Sequence, residues 1–298
     1  MQEITLGTRP SKLALVQAGM VKSLLSEKGY SPRIVEHLTT GDMNREDAIY
    51  RLKGVGVFVR ELNRLVLDGK IDCAVHSAKD IPSKIADGLE ISAVLQREDP
   101  GDSLIAQRPV ESLPYGAKIG TSSIRRAAEL RGKRFDLMVK NIRGNIDTRI
   151  SKYKAGEYDG IIVATAAIKR LNISEKHFPL PEEAFVPAPN QGIIAVVSQE
   201  GSGVSEILAR IDDAATRRNM EIERSVMERL NLGCSSPVGI ISKSVENYNF
   251  VVSRFYSMDL INHVDFRGVI TNDDDLEAYL ESIKNELPKS YGYGVLGA

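Results

Sequence analysis

A chain of 298 residues with 42% hydrophobic and 27% charged content has enough apolar surface to bury for two or three folded domains, which excludes a disordered chain. Lys+Arg 39 against Asp+Glu 40 leaves a formal net charge of -1, so no global field selects nucleic acid or an anionic membrane and any anion site must be local. Two cysteines, Cys73 and Cys234, exclude a disulfide framework and a cysteine-rich metal site.

The opening MQEITLGTRPSKLAL has no basic segment followed by an apolar stretch, and no apolar run reaches membrane-spanning length. The expectation is a soluble cytoplasmic protein. EITLG reads as a strand, and Ser11 to Lys28, with Leu13, Val16, Met20 and Leu24 at helical spacing before Gly29, reads as a helix. The same alternation recurs as RIVEHL, a polar segment and FVRELNRLVLDG, and then DCAVHS. KIGTSS with Ile124 to Arg131, DLMVKNI with Ile146 to Lys154, and GIIVATAA continue it. Repeated β/α units imply largely parallel sheets.

Residues 41–56 are polar and flanked by glycine, the composition of a mobile loop. Prolines near Asp99-Pro100 and in FPLPEEAFVPAPN, residues 178–190, bracket a middle domain. GIIAVVSQ reads as a strand returning to the first domain. A long charged helix, Ile211 to Leu230, then leads to the alternating runs NFVVSRFY and HVDFRGVI and a last helix from Asp275 to Leu287, a small α+β module. The expected division is 1–95 with 192–212, 96–191, and 213–298.

Three strand-to-helix junctions carry arginine: Thr8-Arg9-Pro10-Ser11, Thr121-Ser122-Ser123-Ile124-Arg125-Arg126, and Ile142-Arg143-Gly144-Asn145. A cation at a helix N-terminus costs a few tenths to about 1 kcal/mol unless an anion lies between them. Backbone N–H groups and guanidinium forks together suit a carboxylate or phosphate. From Thr121 to Lys154 there are ten basic residues against three acidic ones. Arg131, Lys133, Lys152 and Lys154 fit an ordinary solvated face, whereas the junction arginines stand where ligand sites form in α/β sheets. Aromatics for base stacking are few here, so a small polycarboxylate fits better than nucleic acid. Asp80, after the strand AVHS, suits a turn beside Pro82, and His76 suits a packed, hydrogen-bonded residue.

Read in order, GTRPSKLAL, GVFVREL, AVHSAKDIP, REDPGDSL, GTSSIRR, IRGNIDTR, IKRL and LGCSSPVG resemble the hydroxymethylbilane synthase (porphobilinogen deaminase) family over nearly the whole chain. The resemblance implies two periplasmic-binding-protein-like (type II) α/β domains flanking a cleft, plus a small α+β C-terminal domain. It implies a transferase that joins four porphobilinogen molecules head to tail with loss of ammonia, on a dipyrromethane cofactor held by a thioether at Cys234, and releases hydroxymethylbilane by hydrolysis. Without those motifs a lone cysteine would be read as an inert thiol.

The resemblance further makes Asp80 the catalytic carboxylate that stabilises positive charge on a pyrrole. It assigns Arg125, Arg126, Lys79, Ser123 and Asn145 to the cofactor, and Arg9, Ser11, Arg143, Arg149, Arg170, Phe58 and Gln191 to the substrate. The partners are porphobilinogen and the growing oligopyrrole, with no metal, nucleic acid or membrane, and the protein is expected to be a monomer. A non-catalytic carboxylate-binding protein of the same fold is the alternative, and turnover of porphobilinogen separates the two.

The chain departs from the family pattern at Lys53-Gly54-Val55-Gly56, where Val55 replaces the usual loop lysine; Asn190 and Val197 also replace more usual residues. Less positive charge near an anionic substrate predicts slower elongation or weaker binding. Val55→Lys is expected to raise kcat/KM for porphobilinogen, and identical steady-state kinetics would contradict this reading.

Overall fold

The computed structural model describes residues 3–38, 57–233, 236–291 and 293. The loop expected over 41–56, Val55 within it, and Cys234 lie outside the described residues. The chain forms two units, Met1–Glu98 with Ile193–Arg218, and Asp99–Gly192 with Asn219–Ala298.

The first unit is a five-stranded sheet of β1 (Glu3–Thr8), β2 (Ser31–Glu36), β3 (Cys73–Ser77), β4 (Leu89–Val94) and β10 (Ile194–Gln199). Its order is β2-β1-β3-β10-β4. Helix α1 (Lys12–Glu27) begins where the Ser11 hydroxyl accepts from Ala14 N–H, and it buries Ala18, Val21 and Leu25 against Ile4 and Leu6. Helix α2 (Val57–Leu67) leads into β3.

The second unit repeats this plan with β5 (Asp102–Ala106), β6 (Lys118–Gly120), β7 (Met138–Lys140), β8 (Gly160–Ala164) and β9 (His177–Pro179), in the order β7-β6-β8-β5-β9. Its helices are α3 (Ile124–Lys133), α4 (Ile146–Lys154) and α5 (Thr165–Arg170). Both units thus contain a mixed five-stranded α/β sheet built to the same strand order.

The expectation of largely parallel sheets needs correction. In each sheet two pairings are parallel and two antiparallel, because β10 and β5 run against their neighbours. Periodicity marks a strand but carries no sign of its direction. GIIAVVSQ does return to the first sheet, between β3 and β4. The reversal has a functional consequence: each antiparallel strand starts beside the C-terminal ends of the parallel ones, pairing Ile194 with Ser77 and Asp102 with Ala164. Those ends are where ligand-binding residues sit in open α/β sheets.

Helix α6 (Gly203–Leu208) is followed by α7 (Ala214–Arg229), which starts later than Ile211 because Asp213 caps it, accepting from Thr216 N–H at 2.8 Å. The C-terminal module is an antiparallel sheet of β11 (Val238–Val245), β12 (Tyr248–Tyr256) and β13 (His263–Ile270), covered by α7 and α8 (Asp273–Glu286). It shares a unit with the second α/β sheet. Ile240 N–H donates to Pro187, and Arg254 donates to the carbonyls of Ala184 and Glu183. Buried Glu223 on α7 accepts from the amides of both Asn190 and Ser242. Gly239 permits the approach, since a Cβ there would lie 2.5 Å from the Val186 carbonyl oxygen.

Candidate active site

In the first unit the candidate residues gather at the ends of β1 and β3. Arg9 follows β1, and its guanidinium lies 3.9 Å from the centroid of the Phe58 ring on α2, so one face of Phe58 already carries a cation. Ser11 is spent on capping α1. After β3 the chain turns through a short 3-10 helix, Ala78–Asp80, pinned to β10 by Ala78 N–H donating to the Ile193 carbonyl at 3.0 Å. Lys79 is half-buried and Asp80 exposed. Among the described residues nothing donates to the Asp80 carboxylate, which leaves an anionic acceptor on a fixed turn.

His76, on β3, is buried and bonded through Nε2 to Asn63 Oδ1 at 2.9 Å. Burial, and then the nearby Arg9 charge, lower it to about 4, so it is a neutral packing residue near pH 7. Cys73 on the same strand is fully buried in the core, and burial followed by the Asp72 charge pushes its thiol far up.

In the second unit Ser123 caps α3, accepting from Arg126 N–H, and Asn145 caps α4, accepting from Thr148 N–H. The two arginines of the first turn of α3 are buried rather than displayed. Arg125 donates to Asp102 Oδ2, Glu129 Oε2 and the Val186 carbonyl, each at 2.8 Å. Arg126 donates to Asp102 Oδ1 through Nε and a terminal nitrogen, and to the Ile162 carbonyl. Gln191 completes the grip: its amide donates to Asp102 Oδ1 and to the carbonyls of Pro100 and Gly101, while its oxygen accepts from Arg126. Burial alone would raise the Asp102 carboxyl, but the two guanidiniums outweigh it and hold it well below the usual carboxylate range. The anion that helix electrostatics demands beside Arg125 and Arg126 is, in the first instance, Asp102.

Arg149 on α4 is different. Its Nε donates to the Gly144 carbonyl at 2.8 Å, and no carboxylate pairs with it among the described residues. Gly144 holds φ at 109°, and a Cβ there would meet Thr148 at 2.7 Å, so only glycine presents that carbonyl. Burial, and then the Arg126 charge, lower the Arg149 pKa. Arg143 is exposed, and Arg170, half-buried at the end of α5, donates to the Gly192 carbonyl at 2.6 Å.

Residues 4–206 match the family model "Porphobilinogen deaminase, dipyromethane cofactor binding domain", and residues 218–293 match "Porphobilinogen deaminase, C-terminal domain". The chain belongs to the porphobilinogen deaminase family. It is accordingly a transferase of tetrapyrrole biosynthesis that assembles porphobilinogen stepwise with loss of ammonia, and the family's cofactor is dipyrromethane. A probable porphobilinogen deaminase of Picrophilus torridus is 46% identical over 97% of this chain and 99% of its own length. One of Thermoplasma acidophilum is 45% identical over 98% and 99%. Among solved structures, the periplasmic VFT2 domain of Bordetella pertussis BvgS aligns with a TM-score of 0.40 at 14% identity, over 75% of this chain and 92% of that one.

For this porphobilinogen deaminase family member the sequence motifs found the arginines and missed Asp102, their shared partner. Asp102 lies within REDPGDSL, a motif that carries the family resemblance, but nothing local to that motif assigns its acid a role. Among the described residues, removing that charge leaves buried Arg126 with no carboxylate partner and Arg125 with Glu129 alone. Asp102→Asn is expected to cost about 3–5 kcal/mol of stability in denaturant unfolding, whereas a loss below about 1 kcal/mol would mean the pair finds its counter-charge elsewhere.

Proposed function

We propose that this chain performs the family reaction on a dipyrromethane attached at Cys234, with Asp80 as its catalytic carboxylate and the arginines of the two α/β units as its carboxylate ligands. The observation that carries the reading is a division of labour among charges: among the described residues, Asp80 is an acceptor without a donor on a pinned turn, and Arg149 is a cation without a paired carboxylate. A cationic pyrrole intermediate needs the first, and acetate and propionate side chains need the second.

Of the two thiols, Cys73 is an unsuitable nucleophile, being sealed in the sheet core with its thiolate strongly disfavoured. That leaves Cys234. Of its described neighbours, Ser236 N–H donates to the Gly233 carbonyl at 2.9 Å, and Gly233 is exposed with open space at its Cβ position. In this proposal the module 213–298 is the domain whose task is to carry Cys234.

The donor set fits a polycarboxylate. Arg149 and Arg143 supply guanidinium forks for carboxylates, and Arg126, held rigid by Asp102 and Gln191, adds fixed positive charge without reorganising. Ser123 and Asn145 keep those arginines at their helix starts. Arg9 and Lys79 supply cations at the end of the first sheet that carries Asp80, Ser11 and Phe58 shape that end, and Arg170 and Gln191 line the chain before β10. When bound, the cofactor supplies a pyrrole whose free α-carbon accepts each new unit. Asp80 lowers the barrier to ammonia loss by placing fixed negative charge where the substrate pyrrole becomes positive. Work in the cytoplasm as a monomer completes the proposal and rests on the family resemblance.

Turnover of porphobilinogen by Asp80→Ala tests the central assignment. The exposed position predicts a stability change within about 0.5 kcal/mol, with kcat reduced at least 10²-fold, the order found when one stabilising group is removed. Full activity in a folded variant would refute the assignment.

A further inference from the structure

Arg125, Arg126, Asp102 and Glu129 form a buried tetrad whose two acids are held unequally. Asp102 accepts from Arg125, twice from Arg126, and from Gln191. Among the described residues Glu129 accepts only from Arg125, through Oε2, while its buried Oε1 and the buried Nε of Arg125 have no hydrogen-bond partner there. A carboxylate out of water keeps its charge only when several donors replace that water.

The groups facing Glu129 do not supply them. Arg125 and Arg126 on its own helix are shared with Asp102, whose negative charge opposes that of Glu129. From β12 come Arg254, already paired with Asp265 at 2.7 Å, and the Tyr256 hydroxyl, which burial and Glu129 both push up and so keep protonated. Burial, first, and Asp102 raise the Glu129 carboxyl to about 8 against the pull of Arg125.

With both acids ionised, the four charges would cancel. We infer that Glu129 sets the charge of the site: held as a neutral acid at physiological pH, it leaves the Arg125–Arg126 pair one uncancelled positive charge for a ligand carboxylate, and by ionising in alkali it withdraws that charge. The inference rests on the reading that this pair, with neighbouring Arg149, receives pyrrole carboxylates. The proton comes from and returns to solvent, and the carbonyl oxygen of the neutral acid still accepts from Arg125. Glutamine at this position reproduces the neutral state at every pH.

Infrared spectroscopy and thermal unfolding of the loaded enzyme, wild type against Glu129→Gln, test this. The wild type is expected to show a protonated-carboxyl band at pH 7 that fades as pH rises through about 8 and is missing from the variant. Because the folded-state pKa is raised, the stabilising contribution of Glu129 is full below its ordinary value of 4.5 and is lost as pH rises towards about 8. Glu129→Gln should therefore melt above the wild type at pH 8 and lose that advantage below pH 4.5. Its turnover should also fall several-fold less on raising the pH from about 7 to 9.

An ionised, ion-paired Glu129 gives the reverse, with no such band and a variant that melts below the wild type throughout the neutral range, and this overturns the inference. Arg126→Gln addresses the underlying reading separately. Impaired cofactor loading in that variant together with a missing Glu129 band overturns the inference alone, whereas unimpaired loading and turnover overturn both.

Discussion

Two guanidiniums closing on one carboxylate that water cannot reach is the constraint from which the second α/β unit is organised. Asp102 begins the strand that runs against its neighbours, Arg125 and Arg126 begin the helix after β6, and Gln191 ends the segment leading out of the unit. These residues come from separate parts of the chain, so the ion pairs and the backbone carbonyls they recruit tie sheet, helix and crossing segment together. A buried ion pair is a poor source of net stability compared with packed apolar side chains. What it supplies is fixed positive charge whose position is settled before any ligand arrives, and a polyanionic oligopyrrole requires that of its binding site.

The same principle distinguishes the arginines from one another. Arg125 and Arg126 are paired with Asp102 inside the unit, whereas Arg149, among the described residues, meets a carbonyl and the repulsion of Arg126 and no carboxylate. In the first unit the sign is opposite at Asp80, an exposed acid on a turn pinned to β10. A cation-rich surface for carboxylates and one anion for a transient cation are the two electrostatic requirements of deaminating pyrrole condensation.

Much of this was legible in the sequence because it is written locally. Ser11, Ser123 and Asn145 cap helices within three residues of themselves, and the apolar spacing of α1 and the alternation of β12 and β13 are short-range patterns. The junction arginines were visible for the same reason. Asp102 was not, since its partners lie 23 and 24 residues away and Gln191 lies 89 away, and no periodicity reports such pairings. Nor could alternation reveal that β5 and β10 reverse direction, which is what brings Asp102 to the helix starts. The tie between the C-terminal module and the middle domain rests on the Glu223 carboxylate and the bare Cα of Gly239, features that carry no helical or strand signature.

Cys73 and Cys234 make the account decidable, because the chain has only these two thiols and the first is locked into its core. Intact mass of the denatured enzyme, compared among wild type, Cys73→Ser and Cys234→Ser, is the most direct measurement. The account predicts a mass above that of the polypeptide, by one dipyrromethane, in the wild type and Cys73→Ser and the bare polypeptide mass in Cys234→Ser. An adduct that survives in Cys234→Ser, or is absent from every copy of the wild type, would contradict it.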